Sequence, residues 1–308
     1  MPADREFDAV LLIGFGGPTR AEEIRPFLDN VTRGRAVPPS RYEKVVHHYE
    51  LLGGRSPYNE ITMRQANALC AKLADGGNPL PVLVGMRNWH PYVEDTMRAL
   101  AFQGARRVFG FVLAAHRSQA SWEQYQETVR DAQQKIGTSA PEVIYPAPWH
   151  AHPLFVRANT DRVREALDKL DEKQRAAVHL LFTAHSIPVA ISAKSRYVDE
   201  VIESSQLAAS QLKIDSWSLA FQSRSGNPRD PWLEPDIGDA LRKLAGRTVI
   251  VMPIGFLCDH VEVLYDLDIE AAQAAREAGV RMVRAQTVGD HPDFIAMIAG
   301  MAGGHLHR

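Results

Sequence analysis

The sequence contains little cysteine: Cys70 and Cys258 are its only two thiols among 308 residues. Two cysteines cannot form a framework of disulfides, and no Cys-x-x-Cys pair is present to hold structural zinc. The same count excludes an iron–sulfur cluster with four thiolate ligands. For Cys258, which ends an apolar run, we expect the role of a small buried side chain rather than that of a metal ligand.

The sequence also has no excess of positive charge and no long apolar run. Its formal net charge is −2, and no polybasic tract occurs that would hold a nucleic-acid backbone or an anionic membrane. No apolar stretch reaches the roughly 18 residues of a transmembrane helix, and the acidic N-terminus is not typical of a secretory signal. We therefore expect a cytoplasmic protein that does not bind nucleic acid.

Short runs rich in Val, Ile, Leu and Phe alternate with longer helical patterns along the chain. With 45% hydrophobic residues, a chain of 308 residues can build two ordinary domains. Continuous apolar strands separated by helices are typical of parallel sheets covered on both faces, so the predicted fold class is doubly wound α/β. The predicted strands are Ala9–Phe15, Pro81–Gly85, Val108–Ala114, Val178–Thr183, Ser218–Gln222, Val249–Phe256 and Val280–Arg284.

The two halves of the chain have similar layouts, which predicts two Rossmann-like domains that face each other across a cleft. We place the N-terminal domain at residues 1–118 and the C-terminal domain at 119–290, with a helix at about 291–303 packing back on the first domain. The segment Tyr145–Trp149 is a candidate connector. Ligands in such sheets bind beyond the carboxyl ends of the strands, so chemistry is expected in the residues that follow each run.

The sequence does not contain the common motifs of nucleotide-binding proteins and hydrolases. The segment GFGG at residues 14–17 follows the first strand, but Thr19 stands where the dinucleotide fingerprint needs a third glycine. No GxxxxGK[ST] phosphate loop and no GxSxG elbow occur. Ser186 directly follows His185, yet adjacency in sequence does not make a nucleophile and base pair. The sequence therefore gives little support to a dinucleotide enzyme or a hydrolase.

Three carboxylates follow the strand predicted at Val249–Phe256 in steps of four: Glu262, Asp266 and Glu270. Steps of four keep side chains on one face of a helix, where adjacent like charges are unfavourable unless a cation offsets them. The spacing is thus compatible with a path or site for a divalent cation. The alternative is a solvated acidic face, since the helix dipole favours carboxylates in a first turn.

Histidines also follow the predicted strands, at His116, His185 and His260 among others. Imidazole and carboxylate together suit a borderline divalent ion such as ferrous iron, and histidine titrates near neutral pH. We therefore interpret His185 and Glu262, on the ends of two different strands, as a pair that can ligate metal and move protons. The alternative for His185 is a structural histidine that is merely hydrogen-bonded at a strand end.

Six segments resemble the ferrochelatase family in order and spacing over nearly the whole chain. They are LLIGFGGP, GGRSPYNEIT, GMRNWHP, LLFTAHSIP, FQSRSGNPRDPWLEPD and PIGFLCDHVEVLYDLDIE. The resemblance implies a class II chelatase with two Rossmann-like domains that inserts ferrous iron into a porphyrin during haem biosynthesis. It implies no permanently bound cofactor and no iron–sulfur cluster, with Fe²⁺ as a substrate.

The resemblance also implies roles for the acidic line and the histidine. His185 matches the catalytic histidine of the family, and Glu262 matches its catalytic glutamate, with the two expected on opposite sides of the macrocycle. Asp266 and Glu270 match an acidic line that guides metal, so the implied metal ligands are His185, Glu262, Asp266 and Glu270. Family members often have a widened helical turn here, which would align the three carboxylates along one track.

Further positions match residues that line the porphyrin pocket or meet its propionates. Phe15 stands where many coproporphyrin-type members have an iron-ligating tyrosine, so it can stack on the ring but cannot supply a phenolate. Thr32 and His48 replace arginines of some relatives. The implied porphyrin-binding residues are Phe15, Arg33, Arg35, His48, Tyr49, Ser56, Tyr125, Ser223 and Trp232.

The substrate expected from this resemblance is coproporphyrin III, because of the GGRSPYNEIT segment and the lack of an apolar membrane-facing extension. Protoporphyrin IX remains an alternative, as does a cobalt or nickel chelatase for a more reduced tetrapyrrole. A non-catalytic carrier of tetrapyrrole or metal is the alternative from another class, because a carrier needs ligands but no proton acceptor. We expect the protein to be a monomer.

Overall fold

The structure is a computed structural model that describes residues 6–33, 37–225 and 230–303. These residues form two compact units. The first unit contains the described residues of Met1–Leu113, Ser121–Ala147 and Pro292–Arg308, and the second contains Ala114–Ala120 and those of Pro148–His291. The predicted fold class, α/β with two Rossmann-like units, is confirmed.

Among its described residues, the first unit has a four-stranded parallel sheet in the order β2-β1-β3-β4. All six residues of β1 are buried, because helices cover the sheet on both faces. The strands are β1 Ala9–Gly14, β2 Val82–Met86, β3 Arg107–Val112 and β4 Glu142–Ile144. The helices are α1 Ile24–Thr32, α2 Pro39–Leu51, α3 Tyr58–Asp75, α4 Val93–Phe102 and α5 Gln124–Ile136, with short 3₁₀ turns at Ala21–Glu23 and Gly137–Ser139 and a π-helix at Gln119–Glu123.

The second unit repeats this topology: its described part has a parallel sheet in the order β6-β5-β7-β8. The strands are β5 His179–His185, β6 Trp217–Gln222, β7 Thr248–Met252 and β8 Arg281–Arg284. The helices are α6 Pro153–Leu167, α7 Glu172–Ala176, α8 Val189–Ser192, α9 Tyr197–Leu212, α10 Ile237–Lys243, α11 Val261–Tyr265 and α12 Ala272–Glu277, with a π-helix at Asp266–Ala271 between the last two. The topological switch point of this sheet lies between β5 and β7.

The last helix, α13 (Pro292–Ala302), belongs to the first unit, where it packs against α3. Its Phe294 ring meets the ring of Phe111 edge to face, with centroids 6.1 Å apart. None of the helices in the described parts of the chain combines the length and apolarity needed to cross a bilayer.

The predicted boundary between residues 118 and 119 is wrong. The segment Ser121–Ala147, with α5 and β4, belongs to the first unit, whereas Ala114–Ala120 belongs to the second. The chain therefore crosses between the units more than once, and one crossing falls within the candidate connector Tyr145–Trp149. Strand β4 was not predicted, because only three residues, with no long apolar run, pair with the edge of β3.

Gly255 allows a close approach of the chain next to β5. Its N–H donates to the Thr183 carbonyl at 3.0 Å, and an added Cβ would lie 2.7 Å from both Cα and Cβ of Ala184. We expect Gly255→Ala to destabilise the protein by about 1–3 kcal/mol, because backbone and not a flexible side chain must move. Urea unfolding measures this loss.

Gly300, inside α13, is the control for this substitution because an added Cβ there meets nothing within 4 Å. Gly300→Ala should raise stability by about 0.5–1 kcal/mol through helix propensity. If the two variants unfold at the same urea concentration, the close contact with Ala184 does not prevent a larger side chain at position 255.

Candidate active site

His185 is the last residue of β5, at the carboxyl end of the second sheet beside the switch point. Its Nδ1 lies 2.6 Å from the Ser186 carbonyl, and since a carbonyl only accepts, Nδ1 carries a proton that it donates. The neutral ring therefore has its lone pair on Nε2. The Tyr197 hydroxyl donates to the His185 carbonyl at 2.9 Å and fixes the backbone at this strand end.

Glu262 lies in the first turn of α11, which follows β7, the neighbour of β5 in the sheet. Its Oε1 is 3.6 Å from His185 Nε2, and its Oε2 is 3.3 Å from His260 Nε2. The Gln222 side chain, at the end of β6, donates to the Glu262 carbonyl at 2.6 Å. One carboxylate thus lies between two imidazoles, and both His185 and Glu262 remain partly open to solvent.

The expectation that His185 and Glu262 lie on opposite sides of the macrocycle is wrong in this structure. Both side chains belong to the second unit, and their nearest polar atoms are 3.6 Å apart. A flat ring between them would need about 7 Å, twice the contact distance of carbon atoms. The two groups therefore approach a substrate from the same side, as one imidazole–carboxylate pair.

The contact between His185 and Glu262 shifts the pKa values of both groups. Burial lowers the pKa of His185, but the Glu262 carboxylate, the Ser186 carbonyl and Asp266 together outweigh burial, so the pKa of His185 is raised above its ordinary value. Burial raises the pKa of Glu262, yet His185 and then His260 outweigh it and hold this pKa well below its usual range. The physical reason is that a carboxylate beside Nε2 stabilises the imidazolium that forms when Nε2 accepts a proton.

Asp266 follows Glu262 by one turn and accepts a short hydrogen bond from the Ser223 hydroxyl. Burial raises the pKa of Asp266 to about 7; the Ser223 hydroxyl opposes this change, and the carboxylates of Glu262 and Glu270 add to it. Ser223 itself has a positive φ of 63°, a conformation that favours glycine. Backbone strain of this kind costs about 1–3 kcal/mol and is often found at functional sites.

Asp266→Asn tests this uncompensated carboxylate. A raised pKa means that the folded state holds its proton to higher pH than the unfolded state, so stability falls as pH rises from about 4 to 7. Asparagine removes this penalty, and we expect the variant to be more stable than the wild type by about 1–2 kcal/mol at pH 8. The family resemblance further implies that the variant inserts metal more slowly. Urea unfolding at pH 5 and pH 8, beside the rate of metal insertion, checks both effects.

Asp239→Asn is the control, because Asp239 is exposed on α10 and pairs with Arg242 at 2.6 Å. Its effect on stability should be the same at both pH values. An equal effect of Asp266→Asn at pH 5 and pH 8 would contradict the raised pKa.

A π-helix at Asp266–Ala271 widens the helical turn after α11, as the family resemblance implied. In an α-helix a step of four residues rotates by about 40° more than one full turn. In the wider π turn the same step rotates by less than one full turn. The drift from Glu262 to Asp266 is therefore reversed from Asp266 to Glu270. Glu270 is exposed, so the line runs from the partly buried pair toward solvent.

The acidic line does not form a ready-made metal cage. In the part of the chain that the structure describes, no three His, Cys, Asp or Glu side chains converge closely enough to hold a metal ion. The implied ligands His185, Glu262, Asp266 and Glu270 are thus a contacting pair followed by two single carboxylates, which stay predictions as metal ligands. Such an arrangement is suited to passing a cation along rather than to storing it.

The predicted porphyrin-binding residues of the first unit lie at different depths. Phe15 follows β1, is partly buried, and its N–H donates to the Tyr58 hydroxyl at 2.9 Å. Arg33 is exposed at the end of α1 and donates to the Arg87 carbonyl at 3.4 Å. Burial, Lys44 and His47 lower the pKa of His48 to about 4, so it is neutral near pH 7 and cannot replace an arginine as a cation. Arg35 lies outside the described residues.

Four other predicted porphyrin residues are buried within their own units. Tyr49, Ser56 and Tyr125 are 4%, 6% and 7% exposed. Trp232 is 9% exposed and forms an isolated antiparallel bridge with Pro188, close to His185 in sequence. In this structure these side chains offer little surface to a ligand, and their roles stay predictions.

Sequence reasoning missed the roles of three residues that hold the pair in place: His260, Gln222 and Tyr197. His260 donates from Nδ1 to the Cys258 carbonyl at 3.2 Å, which directs its Nε2 toward Glu262. His260 follows a strand, and that signal was visible in the sequence. The contacts of Gln222 and Tyr197 are made to backbone carbonyls distant in sequence, so no local pattern announces them.

The fold and this site define a class of protein. Over 96% of this chain, the structure resembles that of the sirohydrochlorin chelatase SirB from Bacillus subtilis subspecies spizizenii in complex with cobalt, with 93% of that chain covered, a TM-score of 0.56 and 13% identity. At this identity the likeness concerns the fold alone. The protein is thus a two-unit α/β protein of the chelatase fold, with an imidazole–carboxylate pair at a switch point.

The particular family follows from closer relatives. The family model described as Ferrochelatase matches residues 7–306. A protein from Mycolicibacterium smegmatis named coproporphyrin III ferrochelatase is 42% identical over 98% of this chain and 90% of its own length. A protein from Rhodopirellula baltica named ferrochelatase is 40% identical over 98% of this chain and 87% of its own length. The chain belongs to the ferrochelatase family, the metal chelatases that insert ferrous iron into a porphyrin in haem biosynthesis.

Proposed function

We propose that this ferrochelatase acts on coproporphyrin III and that His185 and Glu262 carry its chemistry. The observation that carries the assignment of roles is the contact of 3.6 Å between His185 Nε2 and Glu262 Oε1 at a partly open strand end. The choice of porphyrin is supported by the name of the relative from Mycolicibacterium smegmatis. Protoporphyrin IX is the alternative, since the name of the relative from Rhodopirellula baltica, ferrochelatase, does not specify a porphyrin.

Metal insertion requires that a porphyrin lose two pyrrole protons, and the site contains groups to accept them. The Nε2 lone pair of His185 accepts the first proton and becomes an imidazolium held by the Glu262 carboxylate. His260, on the other carboxylate oxygen, supplies a second imidazole to which a proton can pass. The array His185–Glu262–His260 thus has capacity for both protons.

The same array balances charge during insertion. Ferrous iron brings two positive charges to the ring as two protons leave it, so the total charge near Glu262 changes little. Asp266, whose carboxyl titrates near pH 7, and the exposed Glu270 extend the negative field outward along the π-helix. These carboxylates attract hydrated Fe²⁺ and replace its water ligands step by step.

Phe15 directly follows β1 of the first unit, where its ring can offer an aromatic surface to the macrocycle, and the other predicted porphyrin residues would supply remote contacts. Contacts of this kind can support a strain of about 1–5 kcal/mol in the macrocycle, which exposes a pyrrole nitrogen lone pair. The proposal contains no four-thiolate iron–sulfur cluster, because two cysteines cannot ligate one, and the absence of any other bound cofactor stays a prediction. The expected monomeric, cytoplasmic state stays a prediction.

Anaerobic assays with purified protein test the substrate. Ferrous iron is offered with coproporphyrin III or with protoporphyrin IX, and the visible absorption bands report insertion. We expect a kcat/KM for coproporphyrin III at least about tenfold above that for protoporphyrin IX, because binding energy at the ring substituents separates the two. The reverse preference would assign the protein to protoporphyrin IX.

The same assay addresses the remaining alternatives. Cobalt or nickel with a more reduced tetrapyrrole should give no faster insertion than ferrous iron with a porphyrin. A carrier would bind porphyrin, as followed by fluorescence quenching, without any change of the absorption bands toward those of a metalloporphyrin. That result with every porphyrin and metal would contradict the proposal as a whole.

A further inference from the structure

Arg284 forms a clamp that the proposed chemistry does not use directly. It is the last residue of β8, and its side chain is 14% exposed. Its guanidinium donates to both oxygens of Asp268, from Nε at 2.6 Å and from Nη2 at 3.0 Å. The same group donates to both oxygens of Asp259, from Nη1 at 3.3 Å and from Nη2 at 3.1 Å.

The two carboxylates that Arg284 holds lie on either side of Glu262 and Asp266 in sequence. Asp259 precedes α11 and also accepts from the Thr287 hydroxyl at 2.9 Å, whereas Asp268 lies inside the π-helix. Glu262 and Asp266 lie between them in sequence. One guanidinium therefore ties together both ends of the segment that carries these two side chains, and it ties that segment to the edge of the sheet.

The π-helix at Asp266–Ala271 needs contacts that stabilise it, and the hydrogen bonds of Arg284 are such contacts. A π turn is less favourable than an α turn and persists only where surrounding contacts fix it. The bidentate hydrogen bonds to Asp268 are strong and directional, because guanidinium and carboxylate match in geometry. Arg284 also compensates the charges of Asp259 and Asp268.

We propose that Arg284 is a positioning residue that holds the π-helix open and thereby fixes Glu262 and Asp266 for metal insertion. This inference rests on the proposed function of that pair. Arg284 touches neither porphyrin nor metal in this role. Its effect passes through the backbone between Asp259 and Asp268.

Steady-state kinetics of Arg284→Gln test the inference. We expect kcat to fall about tenfold or more and the KM for iron to rise, because a displacement of about 1 Å at reacting groups is costly. The KM for porphyrin should stay within about twofold, since the clamp fixes the side chains of the metal path and not those predicted to bind porphyrin. Arg284→Lys should recover part of the loss, because an ammonium group can pair with one of the two carboxylates.

Asp268→Asn removes one arm of the clamp and leaves Arg284 in place, so it remains informative if Arg284→Gln does not fold. It should lower kcat in the same direction, and the double variant should be no slower than Arg284→Gln alone, because both changes break one interaction. Arg242→Gln is the matched control: it removes the exposed pair with Asp239 in the same unit and should stay within about twofold of the wild type. Normal kcat in Arg284→Gln, or effects that add fully in the double variant, would overturn the inference.

Two readouts separate this inference from the proposed function. Turnover by the wild type under the same conditions tests the function, and the ratio of variant to wild type tests the clamp. A crystal structure of Arg284→Gln or Asp268→Asn needs no turnover at all. We expect Asp266–Ala271 to relax toward an α-helix there, and an unchanged wide turn would refute the role of Arg284 even if the wild type inserts no metal.

Discussion

His185→Ala lowers kcat for iron insertion by at least about a thousandfold, the upper range for loss of a general base. The reason is that Nδ1 of His185 is committed to the Ser186 carbonyl, which leaves Nε2 as the acceptor beside Glu262. Without this imidazole, the first pyrrole proton has no neutral acceptor in the pair. Porphyrin affinity should stay within a few fold, because proton transfer and binding depend on different contacts. Stopped-flow absorption and fluorescence quenching measure the two quantities separately.

His47→Ala is the control for this substitution, because the His47 side chain is 61% exposed on α2 of the first unit. It should keep wild-type turnover. Added imidazole should restore part of the activity of His185→Ala, since a free base can enter the space of the deleted ring. Normal turnover in His185→Ala would remove the proton acceptor from the proposal, and loss of porphyrin binding would make His185 a ligand-binding residue instead.

The residue types of the site were predictable from sequence, but their mutual geometry was not. A buried strand that ends in His185 and an acidic spacing that starts at Glu262 are local patterns, and parallel sheets direct such strand ends to one edge. Which strands are neighbours is a tertiary property. The observed order places β7 beside β5, so the helix after β7 brings Glu262 against His185 within one unit. The sequence therefore identified His185 and Glu262 as site residues, whereas the prediction that they lie on opposite sides of the macrocycle was wrong.

Other features also depend on contacts that no sequence window contains. The three-residue β4 has no apolar run of its own, and it becomes a strand only because the edge of β3 offers it hydrogen bonds. The π-helix at Asp266–Ala271 was expected from family resemblance, whereas the spacing alone fitted a regular α-helix. Arg284 lies distant in sequence from the turn it contacts through Asp268. Local periodicity thus identified the elements, and tertiary hydrogen bonds determined their irregular parts.

Glu262→Gln, the second substitution with a large expected effect, should also lower kcat by about a thousandfold while porphyrin affinity stays within a few fold. The neutral amide cannot stabilise an imidazolium at His185, and it removes the innermost negative charge from the metal path. The pKa of His185 should fall, since the Glu262 carboxylate is the main group that raises it. The acidic limb of the residual pH–rate profile should therefore move to lower pH.

Nuclear magnetic resonance of the His185 ring protons measures this pKa without any turnover. Glu270→Gln is the matched control, because Glu270 is exposed on the same helical segment, whereas the groups that raise the pKa of His185 are Glu262, the Ser186 carbonyl and Asp266. The pKa of His185 should therefore change little in this variant. The direction of the change decides between two roles of the carboxylate. If the pKa of His185 stays raised in Glu262→Gln, another group holds the proton and the pair is not the basic unit of the site. If it falls while kcat is unchanged, the pair exists but insertion does not depend on it.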